Sequence, residues 1–234
     1  MTERDAPVFL LAGGPGSRRS TPDPLLREVF EAAGRATPSV AYVGAASGDN
    51  RRFFSMLSAY MRASGAGGVK LVRLAARKPD VERARGDLEA ADIVFLSGGD
   101  VEEGMAVLQR TGAVSVLDRL FRAGKPFFGL SAGSIMLAHR WIRWQDPDDE
   151  ASAVAFPCLG FAPVLIDTHG EAEGWVELVA LLGLERNGAV GFGVPTGAGL
   201  RVGPDGAVSA MGGPVHRFAR GSSSVERIED LKPD

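Results

Sequence analysis

The chain has 234 residues, 45% of them apolar and 24% charged, values of an ordinary globular protein long enough to bury a sizeable core. Its 26 Lys and Arg against 29 Asp and Glu leave a net charge of −3, which supplies no electrostatic footprint for nucleic acid or an anionic membrane. A single cysteine, Cys158, excludes an intramolecular disulfide and a thiolate metal cluster and suits a reducing cytoplasm.

The start, "MTERDAPVFLLAGG", lacks the basic flank and long apolar core of a signal peptide. No run approaches the ~18 apolar residues that a membrane span needs. The expectation is a cytoplasmic protein, monomer or homodimer.

Five short runs read as buried parallel strands: "PVFLLAG" from Pro7, "SVAYVGA" from Ser39, "VKLVRLA" from Val69, "DIVFLSGG" from Asp92 and "PFFGLSAG" from Pro126. Each is continuously apolar, as strands covered on both faces are. Between them "TPDPLLREVFEAAGRA", "NRRFFSMLSAYMRASGA" and "VEEGMAVLQRTG" carry helical spacing behind capping signals. The alternation predicts an α/β fold with a mostly parallel sheet and helices on both faces. Ligands in such sheets bind beyond the carboxyl ends of the strands, so "AGGPGS", "GAASGD", "SGGD" and "GLSAGS" are expected on one rim.

The second half is less regular. "WIRWQDPDDEASAVAFPCLGF" reads as an excursion with a Pro-Asp turn, "PVLIDTHG" as a strand and "EAEGWVELVALLGL" as a helix. "AGLRVGPDGAVSAM" reads as a hairpin turning at Pro204-Asp205-Gly206. No linker divides the chain, which predicts one domain over 1–234 with its core at about 7–215 and a loose tail over 221–234.

Gly129-Leu130-Ser131-Ala132-Gly133 fits G-x-S-x-G between a strand and a helix. A nucleophilic serine on such an elbow needs small neighbours, because the turn is tight and flanking side chains would block a substrate carbonyl. The plainer reading is a helix-capping serine. The strand–turn–helix setting favours the nucleophile.

A base is needed, and the chain has three histidines. His139 lies eight residues past Ser131, which on a shared helix would be ~12 Å along the axis and out of reach. His216 follows the hairpin. His169 ends an apolar strand before a glycine, a rim position, so elimination favours it. For an orienting acid the local sequence leaves Asp146, Asp148, Asp149, Glu150, Asp167, Glu171 and Glu173 open.

"FLSGGD", Phe95 to Asp100, offers unobstructed backbone N–H groups at a strand end. "AGGPGSRRS" lacks G-K-[ST] and is a Gly-rich turn with no nucleotide claim. Arg18, Arg19, Arg51 and Arg52 could greet an acidic substrate, though solvated charge is the commoner role. No His/Asp/Glu cluster has metal-ligand spacing, and no cofactor is expected.

Taken in order, "VFLSGGD", "PFFGLSAGSIML" and "LIDTHG" resemble the peptidase E and cyanophycinase family of serine peptidases, which share the fold of class I glutamine amidotransferases. The resemblance runs from Pro7 to about Val202. It implies Ser131 as nucleophile, His169 as base, and backbone N–H groups of Gly99 and Ala132 as the oxyanion hole. In aspartyl dipeptidases of the family an Asp follows the serine by 15 residues, which here is Asp146, behind a similar Ile142-Arg143 pair.

Two features depart from the family. His169 sits in Asp-Thr-His-Gly where Pro-His-Phe is usual, and "GVPTGAGLRV" stands where Asp or Glu often precedes Gly-Thr-Ala. The resemblance implies a Ser-His-Asp hydrolase of a small peptide or amide substrate, such as an aspartyl or isoaspartyl dipeptide. The rivals are an esterase of the α/β-hydrolase type and a ligand-binding or regulatory member of the fold that has lost turnover.

Overall fold

The computed structural model describes residues 6–13, 22–146 and 148–233. The first expected strand is β1, Val8–Leu11, with every residue buried. Helix α1, Pro24–Glu31, follows, with Asp23 as N-cap accepting from the Leu25 N–H at 2.8 Å. Next come β2, Ser39–Val43, and α2, Arg51–Ala63, the latter capped by Asn50. The series continues through β3, Gly68–Val72, α3, Val81–Ala90, β4, Ile93–Leu96, and α4, Val101–Arg110. Helix α5, Ala113–Arg122, then leads to β5, Phe127–Leu130, and the short α6, Ala132–Leu137.

Past α6 the chain forms a hairpin, β6, Arg140–Trp144, with β7, Ala153–Pro157. Strand β8, Leu165–Thr168, helix α7, Val176–Gly183, and strand β9, Val190–Val194, come next. The remainder is β10, Gly199–Val202, β11, Val208–Met211, β12, Val215–Arg220, and β13, Val225–Leu231.

The main sheet has the order β11-β10-β1-β5-β4-β2-β3. Strands β1, β5, β4, β2 and β3 are parallel, whereas β10 and β11 join antiparallel beside β1. A second sheet, β13-β12-β9-β8, is parallel only between β8 and β9.

Alternation along the strands divides the core. Val8 and Leu10 of β1 pack with α3, α4, α5 and α6, while Phe9 and Leu11 pack with α1 and α2. Phe95 and Phe128, fully buried with ring centroids 4.6 Å apart, pin β4 to β5 on the α1/α2 face. A third cluster, built on Trp175, Leu178, Leu182 and Ile142, seats α7 against the second sheet and the β6–β7 hairpin.

This is the expected α/β architecture with a large, mostly parallel sheet between helices. Several details differ. Residues 225–231, expected as loose tail, pair with β12 as β13, because Val225, Ile228 and Leu231 turn partly inward while Glu226, Arg227 and Glu229 stay in solvent. Helix α6 stops at Leu137, since Ala138 is extended, so His139 is not on the elbow helix. Helices α3 and α5 were not expected: α3 buries only Ala84 and Leu88 in a largely charged segment, and the apolar residues of α5 follow directly on the turn that ends α4.

Candidate active site

Strands β4, β5 and β8 deliver their carboxyl ends to one place. At the end of β5, Ser131 has φ 54° and ψ −124°, a conformation L-residues rarely adopt and one that costs about 1–3 kcal/mol unless its surroundings enforce it. The enforcement is visible. The Ser131 N–H donates to the Leu11 carbonyl at 2.9 Å, and the Ser134 hydroxyl donates to the same carbonyl at 2.8 Å. Gly133 lies so near β4 that a Cβ there would sit 2.0 Å from the Leu96 carbonyl oxygen. The glycine ending the G-x-S-x-G pattern is thus required by close approach of backbones.

His169, also at positive φ (45°), follows β8 and donates its backbone N–H to the Val194 carbonyl at 2.9 Å. This turn brings its Nε2 to 2.7 Å from Ser131 Oγ. The Gly98-Gly99 step after β4 lies alongside. Gly99, at φ 144°, is pressed against the turn after β2, where a Cβ would fall 1.9 Å from the Ala46 carbonyl oxygen. The neighbouring Asp100 N–H donates to that same carbonyl at 2.8 Å. The Ala132 N–H is the first of α6 and so has no intrahelical acceptor. Neither it nor the Gly99 N–H has an acceptor among the described residues.

The other sequence candidates are dispersed. Asp146 is not brought to His169. It lies exposed in the connection between β6 and β7, where its Oδ1 accepts from the Asp148 N–H at 3.0 Å and its own N–H donates to Ser152 Oγ. The hairpin that carries it packs on α7 and the second sheet, so spacing from the serine does not translate into a contact with His169. His139 contacts the Arg140 guanidinium, and His216 meets Asp230 at 3.1 Å in the second sheet. Arg51 and Arg52 are exposed at the start of α2. The "AGGPGSRRS" turn with Arg18 and Arg19 lies outside the described residues from Gly14 to Thr21. No group of His, Cys, Asp or Glu suited to a metal ion occurs among the described residues.

Two acids earned no distinction from sequence. Glu171, two residues past His169, accepts from the Thr196 N–H at 2.5 Å. Partial burial pushes its carboxyl up, but the backbone N–H groups of Thr196 and Glu171 itself, the Thr196 hydroxyl and the charge of His169 together hold it below the usual range. It reaches over the "GVPTG" segment, where the family's pattern often carries an acid. Asp167, 6% exposed, accepts from the Thr168 N–H at 2.7 Å. Burial, then Glu177 and more weakly Glu173 and Glu171, push it up to about 7 against that hydrogen bond.

Two clefts meet at Gly99, Ser131 and His169. The larger, about 910 Å³, is walled by apolar side chains of α1 and α2 and by Phe95 and Phe128, with Arg52 among its lining residues. The smaller, about 450 Å³, runs between α4, β8 and α7.

A serine on a strained strand-to-helix turn, hydrogen-bonded to a histidine, is the constellation of enzymes that attack through a serine hydroxyl. The model of peptidase family S51 matches residues 8–202, and the chain belongs to that family. Peptidase E of Streptomyces coelicolor is 30% identical over 148 residues, 59% of this chain. The match spans 60% of the length of that curated relative.

Two solved structures share the fold at 14% identity. A peptidase from an acI-B1 Actinobacterium superposes with a TM-score of 0.67 over 98% of each chain. A putative peptidase E from Listeria monocytogenes EGD-e does so with a TM-score of 0.60 over 88% of this chain and 97% of its own. Among the described residues no helix is long and apolar enough to cross a membrane.

Proposed function

We propose that the chain is a serine peptidase that hydrolyses short peptides. The observation that carries this reading is the 2.7 Å contact between Ser131 Oγ and His169 Nε2 at the meeting point of two clefts. His169 Nε2 takes the hydroxyl proton as Oγ attacks the scissile carbonyl. The carbonyl oxygen becomes a tetrahedral oxyanion that accepts from the Gly99 and Ala132 N–H groups, a role supported by their having no other acceptor among the described residues. The proton passes from His169 to the leaving amine, and water, activated by the same imidazole, releases the acyl group from Ser131.

Glu171, rather than Asp146, is assigned as the acidic partner of the His169 side chain. Support comes from its interaction with His169 and from the Thr196 N–H that holds its carboxylate. An aspartyl or isoaspartyl side chain would find its cationic partner at Arg52, the only Lys or Arg lining either cleft among the described residues. Family membership favours amide over ester chemistry, and clefts of this size suit peptides of a few residues.

The test is labelling with a serine-reactive fluorophosphonate, with the modified residue located by mass spectrometry. A dipeptide panel and short acyl esters are assayed alongside. Labelling at Ser131 and peptide turnover that disappears in Ser131→Ala are expected. Labelling elsewhere, or turnover of esters alone, overturns the assignment.

A further inference from the structure

The smaller cleft has a charge pattern that peptide hydrolysis by itself does not require. Asp100, Asp167, Glu173 and Glu177 line it, and no Lys or Arg does among the described residues. Two of these acids are already engaged: Asp100 Oδ1 caps α4 through the Glu103 N–H, and Glu177 Oε2 accepts from Trp141 Nε1 at 2.8 Å. Asp167 differs. It is 6% exposed and lines the cleft, and its Oδ1 accepts from Thr168 while its Oδ2 has no partner among the described residues.

Gly170 keeps that oxygen open. A Cβ there would stand 2.9 Å from Asp167 Oδ2 and 3.1 Å from the Trp175 ring. A nearly buried carboxylate without a cation is costly to hold, and the cleft is where a compensating charge could enter. The raised proton affinity of Asp167 is the expected sign of that missing charge. The cleft also contains Ser131 and His169, so a group seated there lies beside the bond being cut.

We propose that the smaller cleft is a subsite for a cationic group of the substrate, an ammonium or guanidinium, recognised by Asp167 with Glu173 and Glu177. The inference rests on the serine-peptidase reading for the bond that is cut but not for the binding itself. The cation has two possible sources, the free amino terminus of a short peptide or a lysine or arginine side chain. An apolar side chain then suits the larger cleft, where Leu26, Phe53, Leu57 and Met61 face the space.

Binding is measured by calorimetry on the non-hydrolysing Ser131→Ala protein. The probes are Lys-Leu, Leu-Lys, their norleucine isosteres, the N-acetylated form of each, and Asp-Leu. The expected result is about tenfold or tighter binding of a cationic probe over its neutral isostere, the size of effect a charge pair shielded from water produces. Adding Asp167→Asn should bring that ratio close to one with little change for the neutral probe. Loss of the preference on acetylation assigns the cation to the amino terminus. Loss on replacing Lys with norleucine assigns it to the side chain.

Equal binding of cationic and neutral probes from both sources overturns the subsite, as does a preference that survives in the Asp167→Asn protein. Glu173→Gln, at an exposed position, gives a second reading with no demand on the core. Cation preference without fluorophosphonate labelling of Ser131 would refute the catalytic reading and leave the subsite standing. The reverse result would do the opposite.

Discussion

Replacing Asp167 by Asn removes an ionisable group from a buried position in the small cleft while keeping an oxygen to accept from Thr168. In the wild-type chain burial, then Glu177 and its neighbours, raise this carboxyl from 3.8 to about 7. Each tenfold change in proton affinity is worth ~1.4 kcal/mol, so the full rise corresponds to roughly 4–4.5 kcal/mol, an upper bound because the cleft admits water. The folded chain binds this proton more tightly than the unfolded chain does. The resulting stability is therefore complete below about pH 4, declines across the interval to about pH 7, and is absent above it.

Asn carries no such linkage. Urea unfolding of both proteins from about pH 4 to about pH 8.5 should show the variant gaining on wild type by about 2–4 kcal/mol as pH rises. A difference that stays flat across this interval would refute the claim that Asp167 is held without a cation. It would also remove the electrostatic reason for a cationic subsite.

Glu171→Gln should lower kcat/KM on the order of tenfold or more, because the imidazolium formed during turnover loses a neighbouring charge. Asp146→Asn, in an exposed turn, should leave kcat/KM within about twofold. Gly99→Ala places a methyl against the Ala46 carbonyl and tilts one oxyanion donor, so kcat should fall by about 100-fold or more with a loss of stability of about 1–3 kcal/mol. The Cys158 thiol is pushed up to about 12 by burial, so it should stay unreactive toward a thiol reagent at pH 8 in native protein and titrate once the chain is unfolded.

The five parallel strands could be read from sequence because each is a continuous apolar run, a pattern that burial on both faces demands. The elbow was legible for a related reason: Gly129, Ser131 and Gly133 stand where two backbones must cross, and only small residues allow it. His169 followed from elimination. The acid did not. Glu171 owes its position to the left-handed turn at His169 and to the Thr196 N–H, neither of which leaves a mark on residue spacing. Strand β13 was missed because "VERIEDL" buries little and resembles a solvated tail. The role of Asp167 depends on which residues converge on the cleft from α4, β8 and α7, a property of the assembled fold.

The carbonyl of Leu11 is shared by the Ser131 N–H and the Ser134 hydroxyl, and the His169 N–H is held by Val194. The pair therefore depends on backbone atoms from near the start of the chain and from more than 180 residues later. During synthesis β1 emerges long before the segments it must support, and the histidine turn has no acceptor until β9 has been made. A growing or truncated chain would carry the serine yet lack its oriented partner.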